Sequence, residues 1–149
     1  MSRACSRELV AIGIDVVEVD KVHNLLSYGR RRLRRVFNLA ELAMAGEPNP
    51  HHFHRSPSRV LACVFAVKEA VFKSLGRGWG QGVRWSEVCV GREGSGHWSV
   101  SLSGQALHRL KELGGDLVQV CAAAAGKHAM GQAFIYKYQI TKLDSSIAG

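Results

Sequence analysis

Between Ser58 and Leu75, Leu61, Val64, Phe65, Phe72 and Leu75 recur at spacings of three and four, and the run then stops against Gly76-Arg77-Gly78-Trp79-Gly80-Gln81-Gly82. The first pattern is an amphipathic helix whose apolar stripe has to be covered by other elements. The second, a glycine at every second position, can extend neither a helix nor a packed strand, so the helix ends there. Ser58 is a candidate cap, although Pro57 leaves the start of the helix open. On this helix Glu69 and Lys73 are four apart with the acid on the N-terminal side, the favoured order for an exposed ion pair worth roughly 0.2–0.5 kcal/mol. The glycine run reads either as a flexible connector or as backbone that a ligand can approach closely. It is no P-loop, which needs Gly-Lys-Ser/Thr leading into a helix, and no dinucleotide fingerprint.

What covers that helix is legible in the flanking segments. Leu9 to Val19 is dense in β-branched residues, with Val10, Ile12, Ile14 and Val16 on one face of a strand and Asp15 on the other. A carboxylate inside so apolar a strand costs free energy unless it is solvated at the strand end, paired or bound to a metal. Val22, Leu25 and Leu26 have helical spacing, Gly29 interrupts them, and a second helical piece is expected over Leu33 to Ala45. Gly46 to Ser58 holds all three prolines and His51, His52 and His54; it reads as a surface loop, and the histidines lack the Cys or carboxylate partners of a metal site. Val83 to Val90 and Trp98 to Leu102 read as strands joined by a turn at Gly91 to Gly96. Ala106, Leu107, Leu110 and Leu113 mark a short helix, and Leu117 to Ala125 and Met130 to Tyr138 are the last two strands. One strand, helices, two strands, a helix and two strands, without a repeat, predict an α+β fold with a largely antiparallel sheet packed on helices. With 149 residues the chain suits one domain over 1–149, with a frayed tail over 141–149.

Composition narrows the function classes. Cys5, Cys63, Cys89 and Cys121 form no CxxC pair, so zinc-knuckle and dithiol redox readings fall away and free thiols are expected. No apolar run approaches the roughly 18 residues of a membrane span, and Met1 to Glu8 lacks the apolar centre of a secretory signal, which points to a soluble cytoplasmic protein without a membrane partner. The net charge of +8 favours an anionic partner. Arg30, Arg31, Arg32, Arg34 and Arg35 concentrate it in one segment between Leu25/Leu26 and Val36/Phe37. With no helix-turn-helix, zinc or aromatic-basic signature, nucleic acid is not the expected partner.

Three segments together resemble the holo-acyl-carrier-protein synthase family of the 4'-phosphopantetheinyl transferase superfamily. Gly13-Ile14-Asp15-Val16-Val17-Glu18-Val19 is similar to the opening strand of that family. Phe37-Asn38-Leu39-Ala40-Glu41 is similar to its short second signature, and Arg59 to Gly82, with Phe65-Ala66-Val67-Lys68-Glu69-Ala70, Lys73 and the alternating glycines, to its strongest motif. The resemblance implies a magnesium-dependent transfer of 4'-phosphopantetheine from coenzyme A to a serine of an apo acyl carrier protein, releasing 3',5'-ADP, by a homotrimer with coenzyme A in clefts between subunits. Asp15 and Glu69 would be the magnesium carboxylates, with Glu69 and Lys73 the catalytic pair. Arg59, Lys73, Gly76, Gly78 and Gly80 would contact coenzyme A, and the arginine segment would dock an acidic carrier of fatty acid or polyketide biosynthesis. Such chemistry suits the residues: magnesium takes one or two protein carboxylates plus phosphate and water, and a lysine beside it neutralises charge on the pyrophosphate.

The chain departs from the family pattern at two places. Where the family has Ser-x-Ser/Thr-His in the penultimate strand, this chain has Ala123-Ala124-Ala125-Gly126, which leaves His128 or water as the candidate for the missing histidine's place. Where the family has a proline after a glycine and a basic residue, Trp98 follows Gly96-His97. An active but atypical transferase is the expectation. The alternative is a relative on the same fold that binds a carrier protein or another biosynthetic ligand without transferring anything.

Overall fold

The computed structural model describes residues 3–27, 29–46, 56–77 and 81–142. Among them the order is strand β1 (Arg3–Glu18), helices α1 (Val19–Ser27), α2 (Arg30–Val36), α3 (Leu39–Gly46) and α4 (Pro57–Ser74), a 3-10 turn (Trp85–Glu87), β2 (Val88–Arg92), β3 (Trp98–Leu102), α5 (Gly104–Glu112), β4 (Leu117–Ala125) and β5 (His128–Lys142). β1, β5 and β4 form one antiparallel sheet in that order, and β2 pairs with β3 in a second. The fold is the expected α+β arrangement, and every strand pair in it is antiparallel. The Trp98 indole N–H joins the two sheets by donating to the Ala122 carbonyl at 3.1 Å, and the Arg92 guanidinium covers its ring. The residue that breaks the family pattern in this turn is therefore used as a tie between sheets.

α4 lies on one face of the larger sheet and contributes more of the core than any other element. Two glycines set how close it comes. A Cβ on Gly13 would sit 1.8 Å from the Ala70 carbonyl oxygen, and one on Gly131 would sit 2.4 Å from the Val67 nitrogen. The helix backbone thus rests directly on β1 and β5, where any side chain would hold it off. Around that contact Ala62, Val64, Ala66, Val67, Ala70, Val71 and Phe72 are fully buried, with Ala133 and Ile135 of β5 beneath them.

The helical stretch expected over Leu33 to Ala45 is two helices. Phe37 is extended (φ −110°, ψ 134°), and Asn38 begins α3 with a reciprocal cap: its Oδ1 accepts the Glu41 N–H at 2.8 Å while Glu41 Oε2 accepts the Asn38 N–H at 2.8 Å. α4 begins at Pro57, with Ser56 in the cap position. Ser58 is already helical, and its hydroxyl meets His23 Nδ1 at 2.9 Å. β5 runs beyond the expected Tyr138 and includes Thr141 and Lys142. His51, His52 and His54 lie outside the described residues, as do Gly78, Gly80 and residues 143–149. The four cysteines are free thiols, with Cys63 buried.

Candidate active site

The alternation of β1 puts its two faces to different uses. Ile12, Ile14 and Val16, the apolar set, point away from α4 and are 48–57% exposed. Gly13, Asp15 and Val17 point toward the helix, so the one carboxylate between Leu9 and Val17 is delivered to the helix side. A register shift between Leu9 and Ala11 changes the parity, which is why Val10 packs against the core while Ile12 does not.

From Val60 to Ser74 of α4 one line of side chains escapes burial, namely Phe65, Glu69 and Lys73, each four residues from the last. Glu69 and Lys73 of that line lie at the edge where α4 meets β1, while Phe65 packs beside the Trp85 ring. Lys73 Nζ donates to Asp15 Oδ1 at 2.7 Å and to the Ile14 carbonyl at 3.1 Å. Its ammonium is directed across to the strand, so the i,i+4 partner expected from sequence is not the one it takes. Glu69 sits half-buried beside them. Burial, and then the negative charge of Asp15, push its carboxyl above the ordinary glutamate range, with Lys73 opposing. Three of the sequence-derived site residues are therefore one cluster: two carboxylates drawn from a strand and a helix, and one lysine.

Two carboxylates held this close with a single ammonium leave excess negative charge that a divalent cation would balance. Among the described residues no group of three or more His, Cys, Asp or Glu converges; the two carboxylates by themselves match the one or two protein carboxylates with which magnesium is commonly held beside phosphate and water. Arg59 stands elsewhere. It is ten residues N-terminal of Glu69, roughly 15 Å along the helix axis, and donates from Nη2 to the Gly126 carbonyl in the β4–β5 turn. The guanidinium and the Ala123–Gly126 departure thus share one end of α4. His128, exposed, follows that turn opposite Glu18. Gly76 closes the other end, with a left-handed φ of 66° and its N–H on the Lys73 carbonyl at 3.0 Å. A pocket of about 150 Å³ beyond that end is lined by Arg77, His108 and Arg109 among others and contains none of the clustered carboxylates.

Residues 11–129 match the family model of the 4'-phosphopantetheinyl transferase superfamily. The chain belongs to that superfamily. Within it, the chain is 31% identical over 128 residues to the holo-[acyl-carrier-protein] synthase of Shewanella baltica (strain OS185), spanning 85% of this chain and 96% of the relative. It is likewise 31% identical over 128 residues to the synthase of Trichlorobacter lovleyi, spanning 85% and 97%. Among solved structures, the Helicobacter pylori synthase in complex with coenzyme A superimposes with a TM-score of 0.69 at 18% identity, covering 83% of this chain and 98% of that one. The Plasmodium yoelii synthase gives 0.71 at 21%, covering 89% and 98%. At those identities the superpositions speak for the fold, and the sequence relatives speak for the family: holo-acyl-carrier-protein synthases, which are transferases.

Sequence reasoning missed a second cluster. Glu41 and Lys68, both quoted within the family signatures, are an ion pair at 2.8 Å with both side chains fully buried. Lys68 Nζ also donates to the carbonyls of Val36 at 2.7 Å and Trp85 at 3.3 Å, and Glu41 Oε1 accepts the Val90 N–H at 2.8 Å. The signal was available: a lysine following the wholly apolar run Val60 to Val67 on a helix with buried faces has to find a buried anion.

Proposed function

We propose that the protein transfers 4'-phosphopantetheine from coenzyme A to a serine of an apo acyl carrier protein, with magnesium as cofactor and 3',5'-ADP as the second product. The observation that carries the reading is the convergence of Asp15, Glu69 and Lys73 at the β1–α4 contact, in a chain that belongs to this transferase family. Asp15 and Glu69 hold the cation, which when bound withdraws charge from the pyrophosphate. Lys73, more than half exposed while still tethered to Asp15, turns its ammonium to the same phosphates and stabilises the departing 3',5'-ADP. Arg59 and the backbone at Gly76, Gly78 and Gly80 bind coenzyme A. Arg31, Arg32, Arg34 and Arg35, exposed on α2, steer an acidic carrier. The place of the family histidine is filled by His128 or by water.

The active form is a homotrimer. The outer face of the larger sheet presents Leu9, Ile12, Ile14, Val16, Met130, Tyr138 and Ile140, each 40–67% exposed. An apolar face of this extent on one subunit supports burial against further copies of the chain. No described helix is long and apolar enough to cross a membrane, and a cytoplasmic setting, where coenzyme A and carrier proteins meet, fits the reading.

Incubation with coenzyme A, magnesium and an apo carrier protein, followed by intact mass, tests it. The carrier should gain one phosphopantetheine group, with Glu69→Ala as the inactive control. A folded trimer that modifies none of several carriers would instead favour a non-transferring relative that binds them.

A further inference from the structure

α4 is nearly apolar on all sides. From Val60 to Leu75 its surface is built of Val, Leu, Ala, Cys and Phe except at Lys68, Glu69, Lys73 and Ser74, and residues 60–64, 66–68 and 70–72 are all buried. A helix of small apolar residues packed all round is held in place by burial, but burial alone distinguishes poorly between one rotation about its axis and the next. Rotation matters here, because the open line Phe65, Glu69, Lys73 is one residue wide and successive residues point 100° apart. A turn of one residue would carry Glu69 into the core.

Lys68 removes that freedom. Its ammonium has three N–H donors and three oxygen acceptors, from three separate segments: Val36 at the end of α2, Trp85 in the 3-10 turn, and Glu41 of α3. Glu41 is fixed in turn by the backbone N–H groups of Asn38 and of Val90 on β2. Directional bonds to fixed partners break on rotation where apolar contacts would only slide.

We infer that Glu41 and Lys68 are positioning residues for the transfer: they set the axial rotation of α4 so that Glu69 and Lys73, the next residue and the one five on, face Asp15. This rests on the functional reading above and adds residues that touch neither substrate nor cation. A buried ion pair is weak evidence of stability, and its replacement by neutral groups of similar volume is often tolerated, whereas fixing one arrangement among several is its best-attested use.

The double variant Glu41→Gln/Lys68→Met removes the pair without leaving a buried charge. In the full-length protein the expected result is a cooperative melt with kcat for phosphopantetheine transfer down by about 10–100-fold, a smaller rise in KM for coenzyme A, and loss of the extra thermal shift that magnesium adds to coenzyme A. A merely structural pair would lower the melting temperature while leaving kcat and the magnesium-dependent shift at wild-type values well below the melt, and that outcome overturns the inference. Should the double variant not melt cooperatively, Glu41→Asp decides, since it keeps both charges and shortens the reach by one methylene. A several-fold drop in kcat with the fold retained supports positioning, and wild-type kcat with a wild-type magnesium shift refutes it. A wild-type protein that neither transfers nor shows the shift overturns the functional reading itself, and the positioning role with it.

Discussion

Two lysines on α4, five residues apart, each meet a carboxylate at nearly the same distance: Lys68 meets Glu41 at 2.8 Å and Lys73 meets Asp15 at 2.7 Å. The first pair is fully buried; in the second, the lysine is 53% and the aspartate 16% exposed. Distance therefore says little about what either pair does. Burial pulls the Lys68 ammonium below the ordinary lysine range, against the pull of Glu41, so the cation persists there only because its partners surround it. The Lys73 pair is open to water and to incoming charge. It can exchange one partner for another at small cost, which the proposed phosphate-handling role of Lys73 requires. One pair orders the helix and the other is left available on it.

Breaking the buried pair should have the largest effect on stability. Lys68→Met strands the Glu41 carboxylate in the core, and a loss of about 3–5 kcal/mol is expected in urea unfolding. The close approach between helix and strand comes next. Gly13→Ala places a methyl against the Ala70 carbonyl, and a loss of about 1–3 kcal/mol is expected. Because the same displacement moves Asp15 away from α4, transfer should fall with it, and a crystal structure of the variant would show β1 and α4 further apart. The exposed pair should show the reverse pattern: Lys73→Ala changes stability by less than about 1 kcal/mol while transfer measured by intact mass collapses. A Lys73→Ala protein as unstable as Lys68→Met would erase the contrast between the two pairs.

The smallest effect is a pH dependence. Because the Glu69 carboxyl is raised in the fold, the native state holds its proton more tightly than the unfolded chain, and native stability falls as pH rises from the ordinary glutamate value through the raised one. In magnesium-free buffer, Glu69→Gln should flatten that segment of the stability–pH curve and make the protein slightly more stable above it. Unfolding curves taken at a series of pH values check this, and a variant curve parallel to that of the wild type would remove the strain ascribed to Glu69.

Much of this was readable from residues alone, for identifiable reasons. Strong periodicity gave α4, β3, α5 and β4 close to their observed limits, and the charge inside the apolar stretch Leu9 to Val17 marked Asp15. The line Glu69–Lys73 followed from helical spacing, although spacing alone gave Lys73 the wrong first partner, since an acid across a strand is invisible to an i,i+4 rule. The break at Asn38 was hidden because Phe37 and Leu39 continue an apolar pattern, and only the reciprocal cap with Glu41 ends it. The direction of the β1 faces was also beyond the sequence. Ile12, Ile14 and Val16 look like a core face, yet the glycine at position 13 gives the helix its seat on the opposite side. Arg59 was read as a coenzyme A contact, and its hold on the Gly126 carbonyl depends on a turn 67 residues away in sequence.

The most direct test of the account is a comparison of initial transfer rates for wild type, Asp15→Asn, Glu69→Gln and Lys73→Ala at saturating coenzyme A and apo carrier across a magnesium titration, with the fold of each verified by thermal melting. The account predicts folded variants with transfer reduced by at least about 100-fold, and with the magnesium response of the wild type lost in both carboxylate variants. Near wild-type rates in Asp15→Asn and Glu69→Gln would contradict it and place the chemistry of this protein somewhere other than the β1–α4 edge.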